Sequence, residues 1–296
     1  MTTTAASNAT DLRHRAEVEA GSLPPLLVQA EQLAGSVLLG EHGRRRAGMG
    51  DDFWQYRPAQ PGDSRRLVDH RRSARGDQQF IREREGQIAQ TVHIWVDQGG
   101  SMRFASSLDL PQKIDRARKL ALAASILMVR AGERVGLTGT TLPPRSGNMQ
   151  ILRLAEALSH DDSTDYAPPE HHAMIPHARG LFISDFLGPF DELQLALTKA
   201  ADRGLRGVLL QILDPSEEQF PFTGRTVFES VTGQLRHETL KASALRDRYL
   251  ERLAERRDAL DQLCRATGWR MGLHHTGDSA QTALLWLYHA LENSTS

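Results

Sequence analysis

The sequence predicts a three-layer α/β fold, in which a mostly parallel central sheet lies between two layers of helices. From residue 91 onwards, short apolar runs rich in β-branched residues alternate with longer segments of helical periodicity. Strands that alternate with crossover helices pair in parallel and are covered on both faces. The predicted strands are Thr91–Val96, Arg134–Leu137, Gly180–Ser184, Gly207–Leu213 and Trp269–His274.

The predicted helices are recognised by apolar residues at three- and four-residue steps, a spacing that places them on one helix face. The helices predicted in the main domain are Pro111–Ala131, Met149–Leu158, Phe190–Arg203, Ala242–Thr267 and Ala280–Leu291. Gly268 is expected to end the longest of them, because glycine tolerates a left-handed backbone. A β-hairpin, Thr226–Val231 with Leu235–Leu240, is expected before that helix.

The composition divides the chain into three predicted regions. Residues 1–40 form an N-terminal disordered or helical extension, in which Asp11–Glu19 and Pro25–Leu39 have weak helical patterns. Residues 41–90 form an arginine-rich segment packed on the main domain, and prolines and glycines divide it into loops and short strands. Residues 91–296 form the main α/β domain.

Charge and cysteine content exclude several classes of protein. The 296 residues carry a formal net charge of −1, so the chain as a whole has no bias towards nucleic acid or anionic membranes. The single cysteine, Cys264, excludes an intrachain disulfide. No stretch has the apolar length of a signal peptide or of a membrane span. We therefore expect a cytoplasmic protein without a membrane span.

A polar loop, Asp97-Gln98-Gly99-Gly100-Ser101-Met102, directly follows the first predicted strand of the sheet. Ligands of parallel sheets bind outside the carboxyl ends of the strands. The same rule selects Asp185–Gly188 and Asp214–Glu218, which follow two further strands. These three loops are therefore expected to meet at one edge of the sheet.

The loop Asp97–Ser101 resembles the Asp-x-Ser-x-Ser loop of von Willebrand factor A domains. The resemblance implies a von Willebrand factor A-like (Rossmann-like) fold with a metal-ion-dependent adhesion site. In that family a threonine from a second loop and an aspartate from a third complete the site. By position, the implied ligand residues are Asp97, Ser101, Thr164 and Asp185. The implied ion is Mg²⁺, a hard cation that takes oxygen ligands.

Gly99 stands where that family has its middle serine, so one hydroxyl ligand is missing. Two interpretations remain open. Either Mg²⁺ binds weakly, with water in place of the hydroxyl, or the loop holds no metal and Asp97 caps the following turn. The first interpretation predicts that Gly99→Ser strengthens metal binding.

The arginine-rich segment resembles the signature of the bacterial family called domain of unknown function 58. The matching residues, in the family's order, are Tyr56, Pro61-Gly62-Asp63, Leu67-Val68-Asp69-His70 and Ala74-Arg75, with His70 in place of a tryptophan. Asp214-Pro215-Ser216-Glu217 and Phe220-Pro221-Phe222 also match, and the resemblance extends from about Gly48 to Leu291. Members of this family sit beside MoxR-type AAA+ ATPases, so the resemblance implies such an ATPase as the protein partner.

Eleven arginines and six acidic residues lie between Arg44 and Arg84. Mixed charges of this kind favour a protein interface or internal salt bridges, and nucleic-acid binding is the weaker alternative. The arginines predicted to contact a partner are Arg65, Arg66, Arg71, Arg72 and Arg75.

These patterns predict a non-enzymatic protein-binding module without catalytic residues. The sequence has no GxSxG, GxxxxGK, GxGxxG or HExxH motif. The alternative enzyme is a metal-dependent phosphatase or nuclease. Such a hydrolase needs several converging carboxylates, whereas the predicted site offers two, Asp97 and Asp185.

Overall fold

The computed structural model describes residues 25–41, 53–59, 68, 70–74, 76, 80–84, 89–160, 164–171, 173–230, 233 and 236–292. The chain forms two compact units, Glu41–Ala89 and a larger unit made of Met1–Gly40 and Gln90–Ser296. Within the described residues the elements are, in chain order, α1 (Pro25–Glu41), β1 (Phe53–Pro58), α2 (His70–Ser73), β2 (Phe80–Arg84), β3 (Thr91–Val96), α3 (Lys113–Arg130), β4 (Arg134–Leu137), α4 (Asn148–Leu158), β5 (Arg179–Ser184), α5 (Phe190–Asp202), β6 (Arg206–Leu213), α6 (Pro215–Gln219), β7 (Thr226–Glu229), β8 (Arg236–Thr239), α7 (Arg246–Thr267), β9 (Arg270–His275) and α8 (Ala280–Glu292).

The main sheet is parallel throughout. In the described part of the chain it has five strands in the order β4-β3-β5-β6-β9. Each strand begins and ends within one residue of its predicted boundaries. β3 lies inside the sheet, between β4 and β5, as expected for an apolar run buried on both faces. The predicted α/β class with a parallel central sheet is confirmed.

Side chains that alternate along β5 pack against different helices on the two faces of the sheet. Leu181 and Ile183 belong to one buried cluster, together with residues of α1, α3, α4 and α8. Phe182 belongs to a second buried cluster, together with residues of α5 and α7. Because successive strand residues point to opposite faces, helices cover both sides of the sheet. The predicted three-layer arrangement is therefore confirmed.

The helix predicted at Pro25–Leu39 is present as α1, and it contributes to the core of the larger unit. Its buried side chains are Leu27, Ala30, Leu33, Ala34 and Val37. The side-chain amide of Gln281 in α8 donates a hydrogen bond to the carbonyl of Ser36 at 3.2 Å. The helix predicted at Asp11–Glu19 and the predicted N-terminal disorder lie outside the described residues.

The predicted hairpin is present as the antiparallel pair β7 and β8. The helix predicted at Ala242–Thr267 begins differently, because Ala242–Ala244 form a 3₁₀ turn and α7 starts only at Arg246. The backbone N–H of Leu245 donates to the carbonyl of Ala242 at 2.9 Å, which is the tighter spacing of a 3₁₀ turn. Gly268 ends α7 with a φ of 73°, as predicted.

The smaller unit contains the antiparallel pair β1 and β2 and the one-turn helix α2. The hydroxyl of Ser73 in α2 accepts a hydrogen bond from the backbone N–H of Phe80 in β2 at 2.9 Å. Two of the five predicted partner-binding arginines, Arg71 and Arg72, lie in α2, and Arg71 is exposed. The other three, Arg65, Arg66 and Arg75, lie outside the described residues.

Candidate functional site

Three buried carboxylates lie at the carboxyl ends of β3, β5 and β6. They belong to Asp97, Asp185 and Asp214, and each of these residues is at most 2% exposed. The backbone N–H of Asp97 donates to the carbonyl of Ile183 at 2.9 Å, which joins the ends of β3 and β5. A buried carboxylate is stable only with hydrogen bonds or an opposite charge, and each of these three has such partners.

Asp97 is held by three hydrogen bonds from two neighbouring segments and its own loop. Its Oδ1 accepts the backbone N–H of Gly99 at 2.9 Å and that of Ala167 at 3.2 Å. Its Oδ2 accepts the hydroxyl of Ser184, at the end of β5, at 2.7 Å. The carboxylate therefore ties the β3 loop to the segment around residue 167 and to β5.

Burial, followed by the negative charge of Asp185, raises the pKa of Asp97 from 3.8 to about 6. The hydrogen bonds from Gly99, Ser184 and Ala167 oppose this shift. Water is excluded from the carboxylate, so its charged form loses more solvation than these donors replace. The carboxylates of Asp97 and Asp185 thus lie near each other and away from solvent, where each disfavours the charged form of the other.

Gly99 lies directly under the backbone of the segment 164–167. An added Cβ at Gly99 would lie 2.6 Å from the carbonyl oxygen of Asp165 and 2.9 Å from the Cα of Tyr166. A serine at position 99 cannot enter without displacing backbone, which argues against the expectation that Gly99→Ser strengthens metal binding; that expectation stays a prediction. Glycine is required here for the close approach of two loops.

The backbone segments of Thr164 and Ser101 lie next to each other, but only Ser101 has its side-chain hydroxyl buried there. The carbonyl of Thr164 accepts the N–H of Gly100 at 2.7 Å, and the carbonyl of Asp165 accepts the N–H of Ser101 at 2.9 Å. Thr164 itself is exposed. The hydroxyl of Ser101 is buried and has no hydrogen-bond partner among the described residues. The loop after β3 and the segment that contains Thr164 therefore meet through backbone hydrogen bonds.

A buried lysine that none of the sequence motifs indicated also lies at this edge. Lys113 is the first residue of α3 and is 1% exposed. Its Nζ lies 2.8 Å from Oδ2 of Asp185 and 2.6 Å from Oε1 of Glu217. Burial alone lowers the pKa of Lys113, but the charges of Asp185 and Glu217 outweigh it and raise the pKa above its ordinary value. The ammonium is therefore charged.

One signal in the sequence could have identified Lys113. The first turn of a helix carries a partial positive charge, so it favours acidic side chains and disfavours lysine. A lysine at the start of a helix that follows a carboxyl-edge loop is therefore expected to have an acidic partner. The predicted helix placed Lys113 in its first turn, and α3 begins there.

Glu217 connects the ammonium to the turn that follows β6. Its Oε2 accepts the backbone N–H of Asp214 at 2.8 Å, while Oδ1 of Asp214 accepts the N–H of Ser216 at 2.8 Å. This reciprocal pair is a capping box that starts α6. Oδ2 of Asp214 also accepts the N–H of Ser106 at 2.9 Å, which fixes the loop after β3. A single network thus joins α3 to the loops after β3, β5 and β6.

Glu218, the neighbour of Glu217, belongs to a different cluster at the surface. Its carboxylate pairs with the guanidinium of Arg257 and with the ring of His275. The first of these contacts lowers the pKa of Glu218 below its ordinary value. The two adjacent glutamates therefore face different partners and do not act as a pair.

Arg256 in α7 supplies a second positive charge near Asp185. Its guanidinium donates to the carbonyls of Phe186 and Gly188 and lies 5.1 Å from the ring centroid of Phe190. Burial lowers the pKa of Arg256, and the charge of Asp185 opposes that shift. The loop after β5 is therefore held by cations from α3 and from α7.

The residues of this edge do not fit the magnesium ion that the resemblance implies. The buried Ser101 hydroxyl is an available oxygen, but both carboxylates are already bound to donors. Asp185 accepts the N–H of Leu187 at 3.0 Å through Oδ1 and the Lys113 ammonium through Oδ2. Among the described residues, no group of three or more His, Cys, Asp and Glu side chains is placed to hold a metal ion.

The fold and this network together define the class of protein: a three-layer α/β domain whose carboxyl-edge loops are joined by internally paired charges. A family model described as "Protein of unknown function DUF58" matches residues 55–259. The chain therefore belongs to the DUF58 family, which confirms the resemblance seen in the sequence. None of the curated protein sequences matches the chain significantly.

Two solved structures are similar to the chain at low sequence identity. One is an aerotolerance-related membrane protein from Bacteroides fragilis, with 15% identity, 69% of this chain and 100% of that chain covered, and a TM-score of 0.43. The other is the conserved hypothetical protein BatB from Bacteroides thetaiotaomicron, with 15% identity, the same coverage and a TM-score of 0.39. In the described part of this chain, every helix is too short or too polar to cross a membrane.

Proposed function

We propose that this chain is a non-enzymatic protein-binding module that contacts its partner through the loops at the carboxyl edge of the sheet. One observation carries the proposal: the loop after β3 is fixed from inside the molecule and presents a fully exposed leucine, Leu108. When an exposed apolar side chain enters a pocket of a partner, its surface is removed from water, and this burial favours association.

Hydrogen bonds at both ends hold the exposed tip of this loop, residues 106–109. The N–H of Ser106 bonds to the buried carboxylate of Asp214 at 2.9 Å, and the N–H of Leu110 bonds to the carbonyl of Ser107 at 3.2 Å. The N–H of Asp109 bonds to the Ser107 hydroxyl at 3.2 Å. A loop ordered before binding loses little conformational entropy in the complex, which supports a role in recognition.

The pairing of the buried charges supports a module without catalytic activity. A general base needs a carboxylate that can accept a proton from substrate, whereas Asp97 accepts three internal hydrogen bonds and Asp185 is bound to Lys113. A metal-dependent hydrolase needs several carboxylates converging on a metal ion. Here the cation that bridges Asp185 and Glu217 is an ammonium, so the hydrolase alternative has less support.

We propose a MoxR-type AAA+ ATPase as the partner, because the chain belongs to a family whose members sit beside such ATPases. The complex would act in the cytoplasm, in the assembly or activation of another protein complex. The arginines of the smaller unit, of which Arg71 is exposed, would form a second contact surface. Nucleic-acid binding through these arginines is the alternative.

Calorimetric titration of the full chain with the MoxR-type ATPase encoded nearest to it, in the presence of nucleotide, tests this proposal. Leu108→Ser is expected to weaken binding about tenfold or more, which corresponds to about 1.4 kcal/mol. Leu195→Ser is the matched control, since Leu195 is a 51% exposed leucine in α5 and does not belong to the loop. Absence of wild-type binding would contradict the partner, and equal effects of both variants would contradict the loop.

A further inference from the structure

The ammonium of Lys113 joins two loops in the way that a bound cation would. Its Nζ is within hydrogen-bond distance of one carboxylate oxygen from the loop after β5 and one from α6, at 2.8 Å and 2.6 Å. A hard metal ion bridges carboxylate oxygens of different loops in the same manner. The difference is that this cation is covalently part of α3 and cannot leave the site.

The three carboxylates around Asp185 are largely neutralised by two cations of the chain itself. Two cationic side chains, Lys113 and Arg256, act on Asp185, and the acidic groups that face it are Asp97 and Glu217. A divalent cation placed here would meet the Lys113 ammonium at close range in a region without solvent. Repulsion between like charges in such surroundings is strong, which disfavours metal binding while the lysine is present.

We infer that the side chain of Lys113 takes the place of a metal ion at this edge, so that the site works without one. Removal of that ammonium leaves Asp185 and Glu217 without their shared cation, so that a divalent metal such as Mn²⁺ or Mg²⁺ can bridge these two carboxylates in its place. The inference goes beyond the proposed function, because it concerns what holds the loops together and not what they bind.

Thermal unfolding of the full chain with and without millimolar Mn²⁺, at matched ionic strength, tests the inference. The wild type is expected to show no change in Tm. Lys113→Ala is expected to have a lower Tm that Mn²⁺ raises by several degrees, because ligand binding to the folded state alone stabilises it. The double variant Lys113→Ala/Asp185→Asn is expected to lose this response, whereas Lys113→Ala/Glu218→Gln keeps it, since Glu218 belongs to the surface cluster.

Two results would overturn the inference. The first is a rise in wild-type Tm with Mn²⁺ that Asp185→Asn abolishes, since the native site would then bind metal. The second is a folded Lys113→Ala variant that does not respond to Mn²⁺. Should Lys113→Ala fail to fold, electron paramagnetic resonance of Mn²⁺ mixed with the wild type still decides. Mn²⁺ that binds to the wild type but not to Asp185→Asn overturns the inference. Mn²⁺ that stays unbound in the presence of the wild type supports it.

These results are independent of the proposed function. No partner is present in the unfolding experiment, so a wild type that binds metal leaves the binding proposal standing. Conversely, a failure to bind the ATPase does not change the expected response of Lys113→Ala to Mn²⁺.

Discussion

The Nζ of Lys113 at the start of α3 lies 2.8 Å from Oδ2 of Asp185 at the end of β5, although 72 residues separate them in the sequence. Both side chains are almost completely buried. Because neither is solvated by water, each depends on the other for its charge to be tolerated. This ion pair is the main electrostatic link between the helix and the loops of the candidate site.

Lys113→Met is expected to lower the free energy of unfolding by about 3–5 kcal/mol, because Asp185 and Glu217 lose their shared counter-ion while they remain buried. Urea unfolding monitored by circular dichroism measures the change. Lys199→Met on α5 is the control, since Lys199 is 53% exposed and its removal should change stability by less than about 0.5 kcal/mol. A loss at Lys113 as small as that at Lys199 would contradict the assigned role.

Gly99→Ser is expected to lower the free energy of unfolding by about 1–3 kcal/mol, because its Cβ meets backbone atoms that cannot move independently. Gly35→Ser in α1 is the matched control. An added Cβ there meets nothing within 4 Å, and serine is a better helix former than glycine, so stability should stay equal or rise slightly. Equal stability of Gly99→Ser and the wild type would show that segment 164–167 yields to the larger residue.

The titration of Asp97 is expected to reduce stability as the pH rises. Its pKa is raised from 3.8 to about 6 in the folded chain, so the folded state binds the proton more tightly than the unfolded state. Ionisation of Asp97 therefore lowers the free energy of unfolding by about 3 kcal/mol between about pH 4 and pH 7. Asp97→Asn does not titrate, so the stability of the wild type relative to this variant should fall by that amount across the window. Urea unfolding of both proteins at matched pH values gives the difference, and a difference constant with pH would exclude the raised pKa.

Asp214→Ala is expected to weaken partner binding even though Asp214 is buried and cannot touch the partner. The variant loses the hydrogen bond that fixes Ser106 and the cap of α6. Loss of the cap should reduce stability by about 0.5–2 kcal/mol. The freed loop should then bind the ATPase less tightly, because ordering it costs entropy in the complex. Glu218→Gln is the control for calorimetry, and unchanged affinity of Asp214→Ala would contradict a pre-ordered loop.

Much of the fold could be predicted from periodicity alone. The five strands and the main helices differ in length and composition, and each fills a continuous stretch of sequence. The meeting of Asp97 and Asp185 followed from a general rule, since parallel strands bring their carboxyl ends to one edge. Two elements differ from the prediction. Ala242–Ala244 form a 3₁₀ turn that helical periodicity does not distinguish from an α-helix. The segment expected as a loop after β6 forms the short helix α6, which is too short to show a helical pattern.

The partners of the site residues could not be predicted in the same way. Lys113 and Glu217 are 104 residues apart, and their contact depends on the packing of α3 against the turn after β6. The absence of a hydroxyl at position 99 was interpreted as a lost ligand, whereas the structure relates it to the backbone of Asp165 and Tyr166. Sequence patterns report which residues share an edge, but side-chain pairing and close backbone approach depend on three-dimensional packing.

A crystal structure of the full chain grown with Mn²⁺ shows whether the ammonium of Lys113 stands in place of a metal ion. Anomalous scattering from manganese distinguishes the ion from water or a side chain. We expect the Nζ of Lys113 between Asp185 and Glu217, with no manganese peak at the carboxyl ends of β3 and β5. A manganese peak bound by Asp97 and Asp185, with Lys113 displaced from both carboxylates, would contradict it.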